Sequence, residues 1–569
     1  MNNTSLFCVR MTLIALGICI MHQVPAQDAT TPVSIQVDFS KKKGPMKPIW
    51  AFFGYDEPNY TYMKDGRKLL TEISKLSKIP VNVRVHSLLV TGDGEAALKW
   101  GSTNAYTEDA SGKPVYSWTI IDKIFDTYIE RGMKPIAQIG FMPEALSTHP
   151  EPYRHHWDPD LKHGDIYTGW AYPPKDYEKF ATLVYEWVKH SVTRYGKAEV
   201  ETWFWELWNE PDISYWKGTV EEYCKLYDYT SAAVKRALPT AKIGGPEVTG
   251  PSAPKAGAFM KTVLDHITGG KNYVTGKTGS PIDFVTFHAK GAPRLVNGMV
   301  QMNMGKQLRD IDKGFEIVAS YPSLKNLPII IGESDPEGCA ACSEDFSPQN
   351  AYRNGTMYSS YTAASFARKY DLAENRGVNL HGAVTWAFEF EDQPWFRGFR
   401  DLATNGVDKP VLNVFRLFGM MQGNRVEVAK TGSYDFLSIR DSSVRGERSD
   451  INALAARDDR SATVMLWNYH DNNDLTAPSS KVSVKMNGLP AGKLMLRHYR
   501  IDGQHSNAYE AWKKMGSPQQ PSPTQIAELE KAGQLQLLGS PEWITVKGTG
   551  TGINLDLPRQ GVSLLQLTW

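Results

Sequence analysis

From about residue 48 to residue 422 the chain alternates between short apolar or β-branched runs and longer stretches with helical spacing. The short runs are Pro48–Gly54, Val81–His86, Lys134–Gly140, Thr202–Trp208, Lys242–Gly245, Asp283–His288, Pro328–Gly332 and Ala383–Phe388. Between them, Ile121–Glu130, Tyr177–Thr193, Val220–Leu238 and Thr356–Asn375 place apolar residues every three or four positions, the period of an amphipathic helix. Eight such units predict an α/β fold, with parallel strands closed into a (β/α)8 TIM barrel over residues 48–422. An open doubly wound sheet is the competitor, and no glycine-rich phosphate loop follows the first strand to support it.

From residue 423 to residue 569 the pattern changes. Asp435–Ile439, Ala462–Tyr469, Lys481–Met486, Leu494–Tyr499, Glu542–Val546 and Val562–Leu567 are short segments separated by polar or Gly/Pro turns. They predict an additional C-terminal β-sandwich domain, interrupted over 505–533 by a loop and a helix at Thr524–Ala532. Within residues 27–47, Val33–Asp38 predicts a strand placed to complete that sandwich from the other end of the chain. Residues 1–26 stand apart. Arg10, the apolar run Met11–Met21 and then Val24-Pro25-Ala26 form a charged start, a greasy stretch and a small-residue cleavage site. This is the pattern of a secretory signal peptide, and the run is too short to span a bilayer. Ile18 before Cys19 is not the small residue that a lipoprotein signal needs. The expectation is an exported protein, periplasmic or extracellular, with no membrane span.

Charge narrows the partners. Of 63 basic residues Arg10 leaves with the signal, so 62 basic residues face 62 acidic ones. A neutral protein has no electrostatic footprint for nucleic acid or anionic membrane, so an uncharged partner is expected. Cys8 and Cys19 also leave, and the three remaining thiols do not make a disulfide scaffold. In an oxidising compartment Cys339-Ala-Ala-Cys342 is read as a local disulfide after strand seven, and Cys224 as a buried thiol. His149, His155, His156 and His163 lack ligand spacing, so neither a metal nor another cofactor is expected.

Two strands end in carboxylates. Trp203-Phe-Trp-Glu-Leu-Trp-Asn-Glu-Pro211 carries Asn209 and Glu210 to the exit of strand four, and Leu327-Pro-Ile-Ile-Ile-Gly-Glu-Ser-Asp335 carries Glu333 to the exit of strand seven. The C-terminal rim is where barrel enzymes place their chemistry. Pro211 ends its strand and favours an extended backbone at Glu210. Strands four and seven face each other across a barrel mouth, so their end residues can flank one sugar. Glycosidic cleavage needs two such groups, one to protonate the leaving oxygen and one to attack the anomeric carbon. Glu210 is assigned the first role and Glu333 the second. Each would be an ordinary rim carboxylate if it stood alone.

Asn209-Glu210-Pro211 with Glu333 resembles the barrel glycosidases of clan A. Trp208-Asn-Glu-Pro-Asp-Ile-Ser-Tyr-Trp216, Tyr223–Val234, Gly244-Gly-Pro246, Phe396-Arg-Gly-Phe399 and Asn405–Val411 resemble glycoside hydrolase family 39, a family of β-xylosidases and α-L-iduronidases. The resemblance implies a retaining double displacement, with the two carboxyl groups roughly 5–5.5 Å apart. It also implies that Asn209 hydrogen-bonds the sugar 2-hydroxyl. Many β-xylosidases of the family follow the nucleophile with Trp-Asn, whereas Ser334-Asp335-Pro336 stands here, which bears on the sugar rather than the mechanism.

Other rim residues are candidates for a glycoside or oligosaccharide substrate. His86 and Arg84 share a face of strand two. His86 is assigned to a sugar hydroxyl, and Arg84 either orients a carboxylate or pairs with Glu206. His288 ends strand six, Trp386 is placed to stack on a pyranose, and Glu389 follows it with Glu391. Asp56 and Glu57 follow strand one, and Lys290 and Arg294 are the cations that a uronate would need. Long loops over 87–118 and 141–174 can wall off a pocket for single sugars at chain ends. The reading is an exo-β-xylosidase. A β-galactoside, α-L-arabinoside or uronide hydrolase, and a non-catalytic carbohydrate-binding protein on a degenerate barrel, are the alternatives.

Overall fold

The computed structural model describes residues 33–569 apart from 155–156, 158–167, 337, 340, 432–433 and 549. The predicted signal segment, and His155, His156 and His163, lie outside the described residues. Barrel strands run over Phe52–Tyr55, Asn82–Val85, Lys134–Ile139, Phe204–Leu207, Lys242–Val248, Phe284–His288, Pro328–Glu333 and Asn379–Trp386, each parallel to the next. The eighth is broken at Val384. Its first piece, Asn379–Ala383, pairs with the seventh strand and its second, Thr385–Trp386, with the first, so the ring closes. Phe52, Ile136, Phe204, Phe284, Ile330, Val384 and Trp386 fill the barrel interior with packed side chains, as this fold requires.

The helices follow the sequence periodicity closely. Tyr177–Tyr195 begins where Asp176 accepts from the Lys179 N–H, and Val220–Ala237 begins with a reciprocal capping box between Thr219 and Glu222. Thr356–Arg376 is buried over 17 of its 21 residues, because it lies between the barrel and the C-terminal sheets. Its amphipathic pattern is therefore weak.

In the C-terminal domain the strand Val33–Pro45 pairs antiparallel with Asn424–Lys430 and parallel with Ser480–Asn487. Period-two alternation places Ile35, Val37, Val464, Leu466, Val484, Met486, Leu565 and Leu567 in one inner core, so the long sheet folds back on itself. The opposite face of the same sheet, with Leu454, Met465, Trp467 and Leu564, packs on the barrel's core.

Two sequence expectations are corrected. Ala383–Phe388 catches only the end of strand eight, because its first residues, Asn379-Leu-His-Gly, alternate in polarity and carry no apolar run. Asp435–Ile439 is not a strand. Asp435 accepts from the Ser438 N–H and caps a helix over Phe436–Ser442, a local hydrogen bond that outweighs β propensity.

Candidate active site

Strand four gives way to a tight turn in which Trp208 has φ 65° and Glu210 φ 46°. The extended backbone expected at Glu210 is therefore wrong. Its N–H donates to the carbonyl of Glu247, at 2.9 Å, at the end of strand five, where Glu247 itself has φ 55°. Left-handed non-glycine residues cost on the order of 1–3 kcal/mol each and persist only where surrounding contacts over-determine them. Here the bond between neighbouring strand ends supplies that constraint.

Glu210 and Glu333 converge. A carboxylate oxygen of each lies within 4.8 Å of the other, with a His288 nitrogen between them. His288 Nδ1 is 2.9 Å from Glu210 Oε1 and 3.8 Å from Glu333 Oε2, while Nε2 is 2.7 Å from Glu247 Oε1. Burial disfavours the imidazolium, but the charges of Glu333 and Glu247 outweigh it and raise its pKa to about 10. Glu333 has Lys290 Nζ at 2.6 Å from Oε2, His86 Nε2 at 3.2 Å from Oε1 and an Arg84 nitrogen at 3.7 Å. Burial pushes its carboxyl up, and the positive charges of His288 and Lys290 more than reverse that, holding it well below the usual range. Glu333 is thus an anion whose side chain is only 6% exposed.

Arg84 ties the floor together. It donates to Glu206 at 2.5 Å and to the Asn209 amide oxygen at 3.1 Å, and it lies 3.2 Å from Glu247. Both roles that the sequence allows it are therefore present. Asn209 is buried, with its amide oxygen held by Arg84. Beyond Glu333, Lys290 also reaches Asp335 at 2.8 Å, and Asp335 takes Arg400 at 3.2 Å. Asp56 lies 3.6 Å from Lys99 and 3.6 Å from His86.

The sequence reading of two residues is corrected. Trp386 has no exposed surface with which to stack on a sugar. Its ring lies in the barrel interior beneath Arg84, 5.0 Å from the guanidinium carbon, and against His86. Glu389 is fully buried and accepts from the Gly406 N–H at 2.9 Å, bracing a loop rather than meeting a hydroxyl. Burial raises its carboxyl well above the ordinary value. Trp386 ends strand eight but turns its ring into the barrel, and Glu389 lies beyond the strand end on a buried loop. Glu247, in turn, escapes the sequence reading because strand five reads as stopping at Gly245. Extended to Val248, it shows the signal that marks Glu210 and Glu333, an apolar strand ending in a carboxylate.

A cavity opens beside this cluster. Ser87, Lys99 and Trp100 from the loop after strand two and Phe141 and Trp170 from the loop after strand three form its walls, with Tyr215, above Asp56 and His86. Phe141 stacks on Tyr215 with ring centroids 5.6 Å apart. Asp56, His86 and Glu333, and again Glu210, His288 and Glu333, bring three ligand-type atoms within 4.8 Å. These residues do not suit a metal ion. Lys290 and Arg84 already place cations on Glu333, which both groups share, and Lys99 stands 3.6 Å from Asp56. The remaining His149 stacks on Tyr172, away from any such group. Cys339 and Cys342 form a disulfide with Cα atoms 5.5 Å apart, and Cys224 is a buried free thiol.

A closed parallel barrel with paired carboxylates at its C-terminal mouth defines a glycoside hydrolase. The family model for Glycosyl hydrolases family 39 matches residues 33–538, and the chain belongs to that family. It is 28% identical over 435 residues to a β-xylosidase of Caldicellulosiruptor saccharolyticus, covering 74% of this chain and 77% of the relative. It is 24% identical over 531 residues to an α-L-iduronidase of Mus musculus, covering 89% and 76%. A crystal structure of a β-xylosidase from Caulobacter crescentus CB15 shares the fold, with a TM-score of 0.72 at 23% identity, over 94% of this chain and 99% of that one. Membership of a hydrolase family with both carboxylates in place sets aside the non-catalytic alternative. Among the described residues no helix is long and apolar enough to cross a membrane.

Proposed function

We propose that the protein is a retaining, exo-acting glycosidase with β-xylosides as its substrates. The observation that carries this reading is the approach of Glu210 and Glu333 to within 4.8 Å. That spacing suits a covalent double displacement, whereas an inverting pair needs about 6.5–9.5 Å to admit a water. Glu333 attacks the anomeric carbon as Glu210 gives its proton to the leaving oxygen. Glu210 then takes a proton from the water that releases the sugar. Asn209, with its oxygen held by Arg84, offers an amide N–H to the sugar 2-hydroxyl, and His86 meets a hydroxyl on the nucleophile's side.

A neutral sugar is favoured because Arg84, Lys290 and Arg400 each already face carboxylates of the protein itself. Arg294, the other cation considered for a uronate, lies on an exposed hairpin strand. The walls that the two long loops raise on one side of the site support release of single sugars from chain ends. A uronide is the second reading. Lys290 keeps part of its surface exposed at the site, and the α-L-iduronidase of Mus musculus aligns over more of the chain than the β-xylosidase does. We also propose that the protein acts outside the cytoplasm, a reading supported by the pattern of residues 1–26 and by the Cys339–Cys342 disulfide.

The test is a panel of nitrophenyl β-xylosides, α-L-arabinosides, β-galactosides and uronides, with the first product's anomeric form read by NMR. β-Xyloside turnover with retained configuration is expected, and Glu210→Gln and Glu333→Gln should each lose roughly 1,000-fold or more in kcat, about 4 kcal/mol of barrier. Inverted product, or activity untouched by either substitution, overturns the mechanism. Turnover confined to uronides selects the second reading.

A further inference from the structure

Three carboxylates face His288 at this site, and double displacement uses two. The third, Glu247, is fully buried and cannot touch a substrate. Its carboxylate meets His288 Nε2 at 2.7 Å and Arg84 at 3.2 Å, and its backbone carbonyl takes the Glu210 N–H at 2.9 Å. It also borders the nucleophile's strand. A methyl group built on Gly332, the residue before Glu333, would fall 1.4 Å from Glu247 Oε1. Glycine is needed there because the carboxylate occupies the space.

We propose that Glu247 is a positioning residue that holds His288 as a fixed cation shared between Glu210 and Glu333. The inference rests on the double-displacement reading above. Double displacement starts with the negative charge on Glu333 and needs a proton on Glu210 to give to the leaving oxygen. When Glu333 bonds the anomeric carbon, the glycosidic C–O bond breaks, the leaving oxygen takes the Glu210 proton, and the charge is now on Glu210. His288 Nδ1 lies within 2.9 Å of one carboxylate and 3.8 Å of the other, so one N–H faces the anion in both halves of the cycle. No proton need pass through the imidazole. A neutral His288 would lose this pairing, and the anion on its far nitrogen adds to the Glu333 charge in keeping it protonated.

The surroundings are consistent with that role. Glu210, Glu247 and Glu333 face the His288 ring nitrogens, and two cations stand behind them, Arg84 on Glu247 and Lys290 on Glu333. Glu206, pushed up to about 8 by burial and the neighbouring Glu247 charge, carries a proton at neutral pH. Glu247, although buried, is held below the ordinary value because the charges of Arg84 and His288 outweigh desolvation. One ionised and one protonated carboxyl thus share the floor with one guanidinium.

Glu247→Gln keeps the shape and removes the charge. The expected result is a kcat lower by roughly tenfold or more, a KM within about threefold, and an alkaline limb of kcat displaced by about one pH unit or more to lower pH. The sign follows because Glu247 raises the His288 pKa, so its loss lets the imidazole deprotonate earlier. A merely structural residue would lower the thermal midpoint without moving that limb. An unchanged kcat and limb in Glu247→Gln, while Glu210→Gln and Glu333→Gln are inactive, overturns this inference alone. Activity retained in those two overturns the underlying mechanism instead. Histidine-selective ¹⁵N NMR provides a readout without turnover. The signal absent from His288→Gln should show both nitrogens protonated at about pH 8 in the wild type, and a neutral ring there overturns the proposal. Gly332→Ala should cost roughly tenfold or more in kcat in the wild type and less than about threefold when added to Glu247→Ala. Equal losses in both backgrounds count against the shared space.

Discussion

At the scale of single residues, the site is a problem in charge compensation. Glu333 is buried, and without neighbours it would be protonated and unfit for the proposed attack. His288 and Lys290 stabilise the anion, and of these Lys290 is in closest contact, at 2.6 Å. Lys290→Met should therefore raise the Glu333 pKa. The folded group is depressed, so the ionised form needed for attack will be lost at a higher pH than in the wild type as the solution is acidified. The acid limb of kcat/KM should move up by about one unit or more, with a loss of roughly tenfold or larger at neutral pH, measured by initial rates across about pH 4–9. An unmoved acid limb would mean that His288 suffices. Trp386 shows the opposite case, in which an aromatic residue that reads as a sugar platform instead supports Arg84 from below. Nothing in a linear sequence separates an indole facing a pocket from one facing a barrel core.

Secondary-structure elements deliver these residues to one point. The fourth strand carries Glu210 only if the helix behind it, Val220–Ala237, returns the chain correctly, and that helix starts from the Thr219–Glu222 capping box. Thr219→Ala should cost about 1 kcal/mol, the usual value of a lost N-cap, visible as a lower urea midpoint with an unchanged m value. A midpoint within error of the wild type would show that packing alone sets the helix start. Strand ends, more than strand bodies, are hard to read from sequence. The apolar runs of strands four and seven continue to the catalytic rim, so Glu210 and Glu333 stand out. Strand five reaches the rim through Gly-Gly-Pro, which reads as a turn, and Glu247 is hidden behind it. Strand eight starts on alternating polar residues, so its apolar run marks it too late. At Asp435 the side-chain cap decides between helix and strand, and a short β-rich segment does not reveal that competition.

For the molecule as a whole, barrel and C-terminal sheets form one packed unit. Arg368 of the helix Thr356–Arg376 reaches Asp450 of the sheet at 2.8 Å, both buried, and Asp450 also accepts from the Trp467 indole at 3.1 Å. Arg368→Met should destabilise by about 3–5 kcal/mol, because it leaves a buried carboxylate without its cation. Calorimetry should show the barrel and sheet transitions separating or both moving down. A midpoint unchanged by the substitution would mean that the domains do not depend on this pair. The strand Val33–Pro45 inserts between strands drawn from residues 424–430 and 480–487, so both ends of the described chain meet in one sheet.

The sequence alone determined the barrel and the β domain and marked Glu210 and Glu333 as candidates, because period, strand–helix alternation and a polar residue ending an apolar run are local properties of the chain. It also carried the expectation that Val33–Asp38 joins the distant C-terminal strands, since an unpaired strand before the barrel needs a partner. Only the tertiary structure decided which charges lie side by side. Glu247 under His288, Lys290 on Glu333 and Arg84 between three glutamates depend on contacts between strand ends far apart in the chain. Such contacts set protonation by Coulomb interaction and desolvation, and both vary with distance in space rather than with position in the chain.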